Sequence, residues 1–188
     1  RDCLLSRGLG DVYKRQLTNN VKAATKWNTS KSVTKEENGI KYSAYLTEDG
    51  KESWIYQIKL SKKITKLTLP KEINQAKLTR VGFGKELYNK GEDEDAYQNL
   101  FGDTIEPWHN CYGDLSNDDK NKQTIETVAI PGTVNQLEIA TFSGMKKLKS
   151  VVIPEQTASV PAYTFAKCSA LSKVTFSKNM NEIDSTAF

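Results

Sequence analysis

Ile125-Glu126-Thr127-Val128-Ala129-Ile130-Pro131 and Leu148-Lys149-Ser150-Val151-Val152-Ile153-Pro154 are one phrase written twice. The offset is 153 − 130 = 23 residues, and Leu171-Ser172-Lys173-Val174-Thr175-Phe176 follows at the same spacing, 171 − 148 = 23. Two more columns keep step, namely Leu137, Val160 and Ile183, and Phe142, Phe165 and Phe188. Five apolar columns in one register are hard to obtain by chance in a chain that is 37% hydrophobic. A fixed period of this kind marks a stacked architecture, in which each unit leans on its neighbours.

Each copy has the internal form L-x-x-L-x-L. Its last two apolar residues lie two apart, so they share one face of a short strand. Pro131 and Pro154 then stop the strand, because proline cannot donate to a continuing ladder. The Leu137 and Phe142 columns close the coil from the far side. A period in the low twenties with this grammar predicts a mainly β leucine-rich-repeat solenoid. One coil buries too little apolar surface to offset the entropy of ordering it, and stacking supplies the missing burial.

The repeats resemble the BspA-like, bacterial-surface type of leucine-rich repeat. The carriers are Val128-x-Ile130-Pro131, Val151-Val152-Ile153-Pro154, and the small-residue-then-Phe pairs Thr141-Phe142, Thr164-Phe165 and Ala187-Phe188. Ala166-Lys167-Cys168-Ser169-Ala170-Leu171 matches the stretch that follows that Phe, although Met145 stands where the Cys168 column would place a cysteine. The resemblance covers about a third of the chain, and its motifs specify fold rather than ligand.

At the other end, residues 6–16 look like a translated sequencing adapter. Asp11-Val12-Tyr13-Lys14-Arg15-Gln16 is the reading of GAT GTG TAT AAG AGA CAG, and Ser6-Arg7-Gly8-Leu9-Gly10 continues the match upstream. Residues 1–16 are therefore set aside as artefact; the rival reading is a native basic N-terminus. They carry Arg1, Arg7, Lys14 and Arg15 against Asp2 and Asp11, so the rest holds 27 − 4 = 23 basic and 23 − 2 = 21 acidic residues. A balance so near neutral gives no case for nucleic-acid binding or a basic membrane patch. No stretch approaches the roughly 18 apolar residues of a membrane span.

Residues 17–38 read as a linker or disordered lead-in, rich in Lys, Thr, Ser and Asn, from which Trp27 docks on the domain or belongs to something upstream. Residues 39–83 read as a β-hairpin cap and first repeat. Ile40-Lys41-Tyr42-Ser43-Ala44-Tyr45-Leu46 and Trp54-Ile55-Tyr56-Gln57-Ile58-Lys59-Leu60 flank the turn signal Asp49-Gly50. Ile64-x-x-Leu67-x-Leu69-Pro70 restates the repeat, Ile55-x-x-Ile58-x-Leu60 reads as an imperfect earlier copy, and Leu78-Thr79-Arg80-Val81-Gly82 completes the first coil. The register then breaks, since 131 − 70 = 61 is not a multiple of 23, and residues 84–123 read as an irregular acidic insertion. Residues 124–188 are the period-23 repeats, expected to be cut in mid-repeat at Phe188 and to lack their C-terminal cap.

The insertion holds the residues that invite chemistry. Glu92-Asp93-Glu94-Asp95 and Asp118-Asp119 suggest calcium, but counting from Asp114 the glycine position is Asp119 and the distal Glu position is Ile125, so the loop motif fails. His109 is the chain's one histidine and Cys111 lies two residues on; zinc needs about four ligands, and no nucleophile motif stands near. With Cys3 set aside, Cys111 and Cys168 remain, and neither number nor spacing suggests a disulfide framework, although the two can pair in an oxidising compartment. No catalytic residue, cofactor or metal site is expected.

A partner has a natural surface. Lys66, Thr68, Thr127, Ala129, Ser150, Val152, Lys173 and Thr175 alternate with the buried strand residues, so they face outward as one ladder. The resemblance implies a secreted or cell-surface bacterial protein that binds or adheres, taking a protein or glycan of host origin. The alternatives are an accessory module of a larger surface enzyme and an intracellular interaction scaffold.

Overall fold

In the computed structural model, residues 25–84, 87, 97–98, 100–101, 104–106, 111–112 and 121–188 are described. The adapter-like residues, the start of the lead-in, both acidic runs and His109 lie outside them. The described chain is a mainly β solenoid without an α-helix, extended at its N-terminal end by an antiparallel meander.

The meander consists of β1 (Val33–Glu37), β2 (Ile40–Leu46) and β3 (Glu52–Leu60). The expected β2–β3 hairpin is present, closed by Gly50 at φ 69° and by Asp49, whose carboxylate accepts from the Thr47 hydroxyl at 2.6 Å and the Lys51 N–H at 3.1 Å. Those hydrogen bonds, the Thr47 one first, hold the Asp49 carboxyl down to about 2. β1 corrects the lead-in reading, because Val33–Glu37 pairs antiparallel with β2 in a register that joins Glu37 to Ile40. The two intervening residues, Asn38 and Gly39, take φ 54° and 79°, the left-handed pair that a two-residue hairpin turn requires. Asn-Gly is the strongest short hairpin signal there is; the polar character of the residues before it masked it.

β4 (Lys66–Thr68) is the first solenoid strand, followed by β5 (Glu72–Ile73) and β6 (Ala76–Val81). Ile55-x-x-Ile58-x-Leu60 is not an early coil, since it lies within the nine-residue β3, which pairs with β2 on one side and β6 on the other. Its spacing imitates the repeat because a strand buried on one face and a coil strand share the same two-residue period.

The insertion is less irregular than its composition suggests. It carries a small antiparallel sheet of β7 (Tyr97–Gln98), β8 (Thr104–Glu106) and β9 (Cys111–Tyr112). Leu100 is buried and tied on both sides, its carbonyl accepting from Ile58 N–H at 2.8 Å and its N–H donating to Thr141 at 3.0 Å.

After a 3-10 turn at Lys122–Thr124, the coils run through β10 (Thr127–Ala129), β11 (Gln136–Leu137), β12 (Ser150–Val152), β13 (Ser159–Val160), β14 (Lys173–Thr175) and β15 (Glu182–Ile183). Two systems result. A front sheet has the parallel order β14-β12-β10-β4, and a back sheet runs β1-β2-β3-β6-β11, with β5 on β6. The meander thus extends the back sheet: β6 pairs in parallel with β11 and with β3, so backbone hydrogen bonds continue from the cap into the coils. Between the sheets, Leu67, Val128 and Val151 stack as neighbours in register, over a core that includes Phe142, Met145, Leu148 and Phe165. The Phe column stacks face to face, with centroids 5.7 Å apart from Phe142 to Phe165 and 5.5 Å from Phe165 to Phe188.

Candidate binding face

The front sheet places all eight predicted ladder residues together. Its register aligns Lys66, Thr127, Ser150 and Lys173 in one row and Thr68, Ala129, Val152 and Thr175 in the next, with Leu67, Val128, Val151 and Val174 between them pointing inward. Neighbouring strands in such a sheet are about 4.8 Å apart, so each row presents four side chains over about 14 Å. β4 joins β10 directly although the two are separated by the insertion, and this makes the ladder four strands wide.

One row is hydroxyls flanked at both ends by lysine; the other is small and methyl-rich. Val152 is 60% exposed at the middle of its row, whereas Val151 beside it is buried. The coils that carry these strands are also tied to one another outside the sheet. Each coil grips the next through hydroxyl-to-carbonyl bonds one repeat away: Thr157 to Val134 at 2.8 Å, Ser143 to Ala166 at 3.1 Å and Ser169 to Lys146 at 3.3 Å. Lys149 adds an ion pair to Glu126 at 2.8 Å, again 23 residues apart.

The thiol of Cys168 is buried and free, donating to the Phe142 carbonyl at 3.2 Å, and burial pushes it up to about 12. It behaves as core, not as a nucleophile or a bridge. Among the described residues no three His, Cys, Asp or Glu side chains group as metal ligands, and no helix is long and apolar enough to cross a membrane.

Sequence reasoning missed the junction between meander and coils. Arg80 of β6 is buried and donates through Nε to Glu138 Oε1 at 2.7 Å; Gln136 Nε2 donates to the same oxygen at 2.7 Å. The Arg80 guanidinium lies 3.7 Å from the centre of the Trp54 ring, and Trp27 packs edge-on against Trp54 with centroids 5.7 Å apart. Trp54 Nε1 donates to the Gly82 carbonyl at 2.7 Å. Arg80 and Glu138 are 58 residues apart, so no local pattern links them.

Comparison with known families supplies the deciding observation. The family model described as "BspA type Leucine rich repeat region (6 copies)" matches residues 120–188. Residues 120–188 are BspA-type leucine-rich repeats. The chain is also similar to a leucine-rich cell surface protein from Faecalibacterium prausnitzii A2-165, known from a crystal structure, at 15% identity and a TM-score of 0.32. That alignment covers 85% of this chain and 47% of the other, so the chain spans about half the length of that protein. No curated protein matches the chain. The BspA-type match begins just before β10, so β4, which the sequence places outside the unbroken register, joins the BspA-type strands through pairing alone.

Proposed function

We propose that this chain is a non-catalytic binding module of a secreted or cell-surface protein and that it takes a protein or glycan on the front sheet. The observation that carries this reading is the in-register ladder from Lys66 to Lys173 with Val152 exposed at its middle. The short side chains at the centre of a hydrogen-bonded sheet have few rotamers to lose on contact, and the lysines at both edges suit a polar rim around a methyl-bearing centre. The BspA-type repeats, and the likeness to a protein described as a leucine-rich cell surface protein, support the surface location.

The full chain, immobilised, is screened against a mammalian glycan array and a panel of extracellular-matrix proteins. Any binder found is then measured against the Val152→Asp, Lys173→Glu double variant. Affinity is expected to fall at least about tenfold, as loss of a desolvated central contact together with a rim charge would produce. Unchanged affinity in the double variant, with its melting temperature intact, would reject the front sheet as the binding face.

A further inference from the structure

The meander extends the back sheet, and among the described residues no strand pairs with β4 on the side away from β10. Thr127 N–H donates to Thr65 O at 3.2 Å and Leu69 N–H to Ala129 O at 3.0 Å, so Thr65, Leu67 and Leu69 turn their backbone groups toward β10. By the alternation of a parallel ladder, Lys66 and Thr68 turn theirs away from it. The Thr68 carbonyl, on that outer side, accepts the Tyr42 hydroxyl at 3.2 Å. β4 is also the terminal strand in the order β14-β12-β10-β4. The outward N–H and C=O groups of an edge strand are a template with which another chain can pair.

Space lies beside this edge. A groove of about 370 Å³ runs between β4 and the β1–β2 turn, lined by apolar Ile40, Tyr42, Ile64 and Leu69 and by Lys62 and Lys66. Ile40, Tyr42 and Leu69 are buried in the groove wall, and both lysines are exposed. Glu37, which also borders the groove, is paired with Lys35 at 3.2 Å. The open apolar surface comes from half-exposed Ile64, so an extended segment laid along β4 would meet it on one side and the two lysines on the other.

The geometry points to β4 as a strand-addition site for an extended peptide that alternates apolar and acidic residues. The outward backbone groups of Lys66 and the Thr68 N–H supply the ladder, half-exposed Ile64 meets the apolar side chains, and Lys62 and Lys66 meet the carboxylates between. This inference rests on the reading of the chain as a binding module, but it assigns the backbone edge of β4, whose Lys66 and Thr68 side chains also end the two rows of the face.

The probe is a fluorescein-labelled octapeptide of alternating valine and aspartate, measured by anisotropy against the full chain. Two controls accompany it: the same composition in two blocks, and alternating valine and lysine. Saturable binding is expected for the alternating acidic peptide alone. Thr68→Pro removes an edge donor at a position where proline is sterically tolerated, and should weaken binding at least about fivefold. Lys62→Glu with Lys66→Glu should weaken it by a similar, salt-sensitive factor, and serves where the proline variant fails to melt cooperatively. Val152→Asp with Lys173→Glu should leave it within about twofold, because that pair tests the face and not the edge. Equal binding of the block peptide, or undiminished binding to folded Thr68→Pro, overturns the proposal, as does failure of the alternating peptide to bind.

Discussion

Arg80 and Glu138 are side chains that composition would place at the surface, and both are almost fully buried where the meander meets the coils. A buried ion pair gains little over a well-packed apolar pair, yet losing one partner strands the other charge out of water. Glu138→Leu should therefore cost about 3–5 kcal/mol in urea denaturation, while Arg80→Met combined with Glu138→Leu should recover most of that loss. A double variant as unstable as the single one would mean that the pair itself, not the stranded charge, sets the stability. Gly82 sits beside them at φ 114°, where a Cβ would fall 2.6 Å from that of Glu138 and against the Thr141 hydroxyl. The close approach of β6 to the coil that carries β11 thus depends on a residue without a side chain.

At the scale of the element, the coil is defined by what it repeats. Phe142, Phe165 and Phe188 are stacked nearly parallel, with interplanar angles of 15° and 21°, and Phe165 is the buried middle ring in contact with both others. Phe165→Ala removes both ring contacts at once and should cost about 3–5 kcal/mol, read as a shift of the urea midpoint. A loss below about 1 kcal/mol would show that the neighbouring coils close over the gap. The coil grammar was legible because each of its parts is local: an apolar residue every second position, a proline after the strand, a phenylalanine a fixed distance on. β1 was legible too, in Asn38-Gly39, but its strand alternates half-buried and exposed residues and so carries a weak apolar signal. The hold on Leu100 was harder to read, because the anchor is one short apolar step inside an acidic stretch.

Across the molecule, two titratable groups sit in the shared core at its two ends. The Tyr42 hydroxyl joins the meander to β4 and is pushed up to about 12, by burial first and then by the charge of Glu37. The Cys168 thiol, between the coils, is raised to about 12 by burial against a smaller lowering from its hydrogen bond to the Met145 backbone. Both groups are neutral when protonated, so the folded state binds these protons more tightly than the unfolded chain does. Their contribution is complete below the unfolded values, about 8.5 for Cys and about 10 for Tyr, and is lost as pH rises through about 12. The urea midpoint should accordingly be flat from about pH 7 to 8 and fall steadily between about pH 9 and 11. Tyr42→Phe should flatten the upper part of that decline; an unchanged slope would assign the loss to other groups.

The sequence by itself determined the solenoid, the period of its coils, the turn of the β2–β3 hairpin and the identity of the outward ladder. All of these follow from side-chain periodicity within a few residues or from repetition at a fixed offset, and both survive in a linear string. Only the tertiary structure decided that β4 joins β10 across the insertion, that the meander extends the back sheet rather than the front one, and that Arg80 meets Glu138 beneath Trp54. The longest of these join positions 58 and 61 residues apart, Arg80 with Glu138 and Thr68 with Ala129 (129 − 68 = 61). They are selected by the burial and hydrogen bonding that the whole chain gains at once, and no short stretch carries that information.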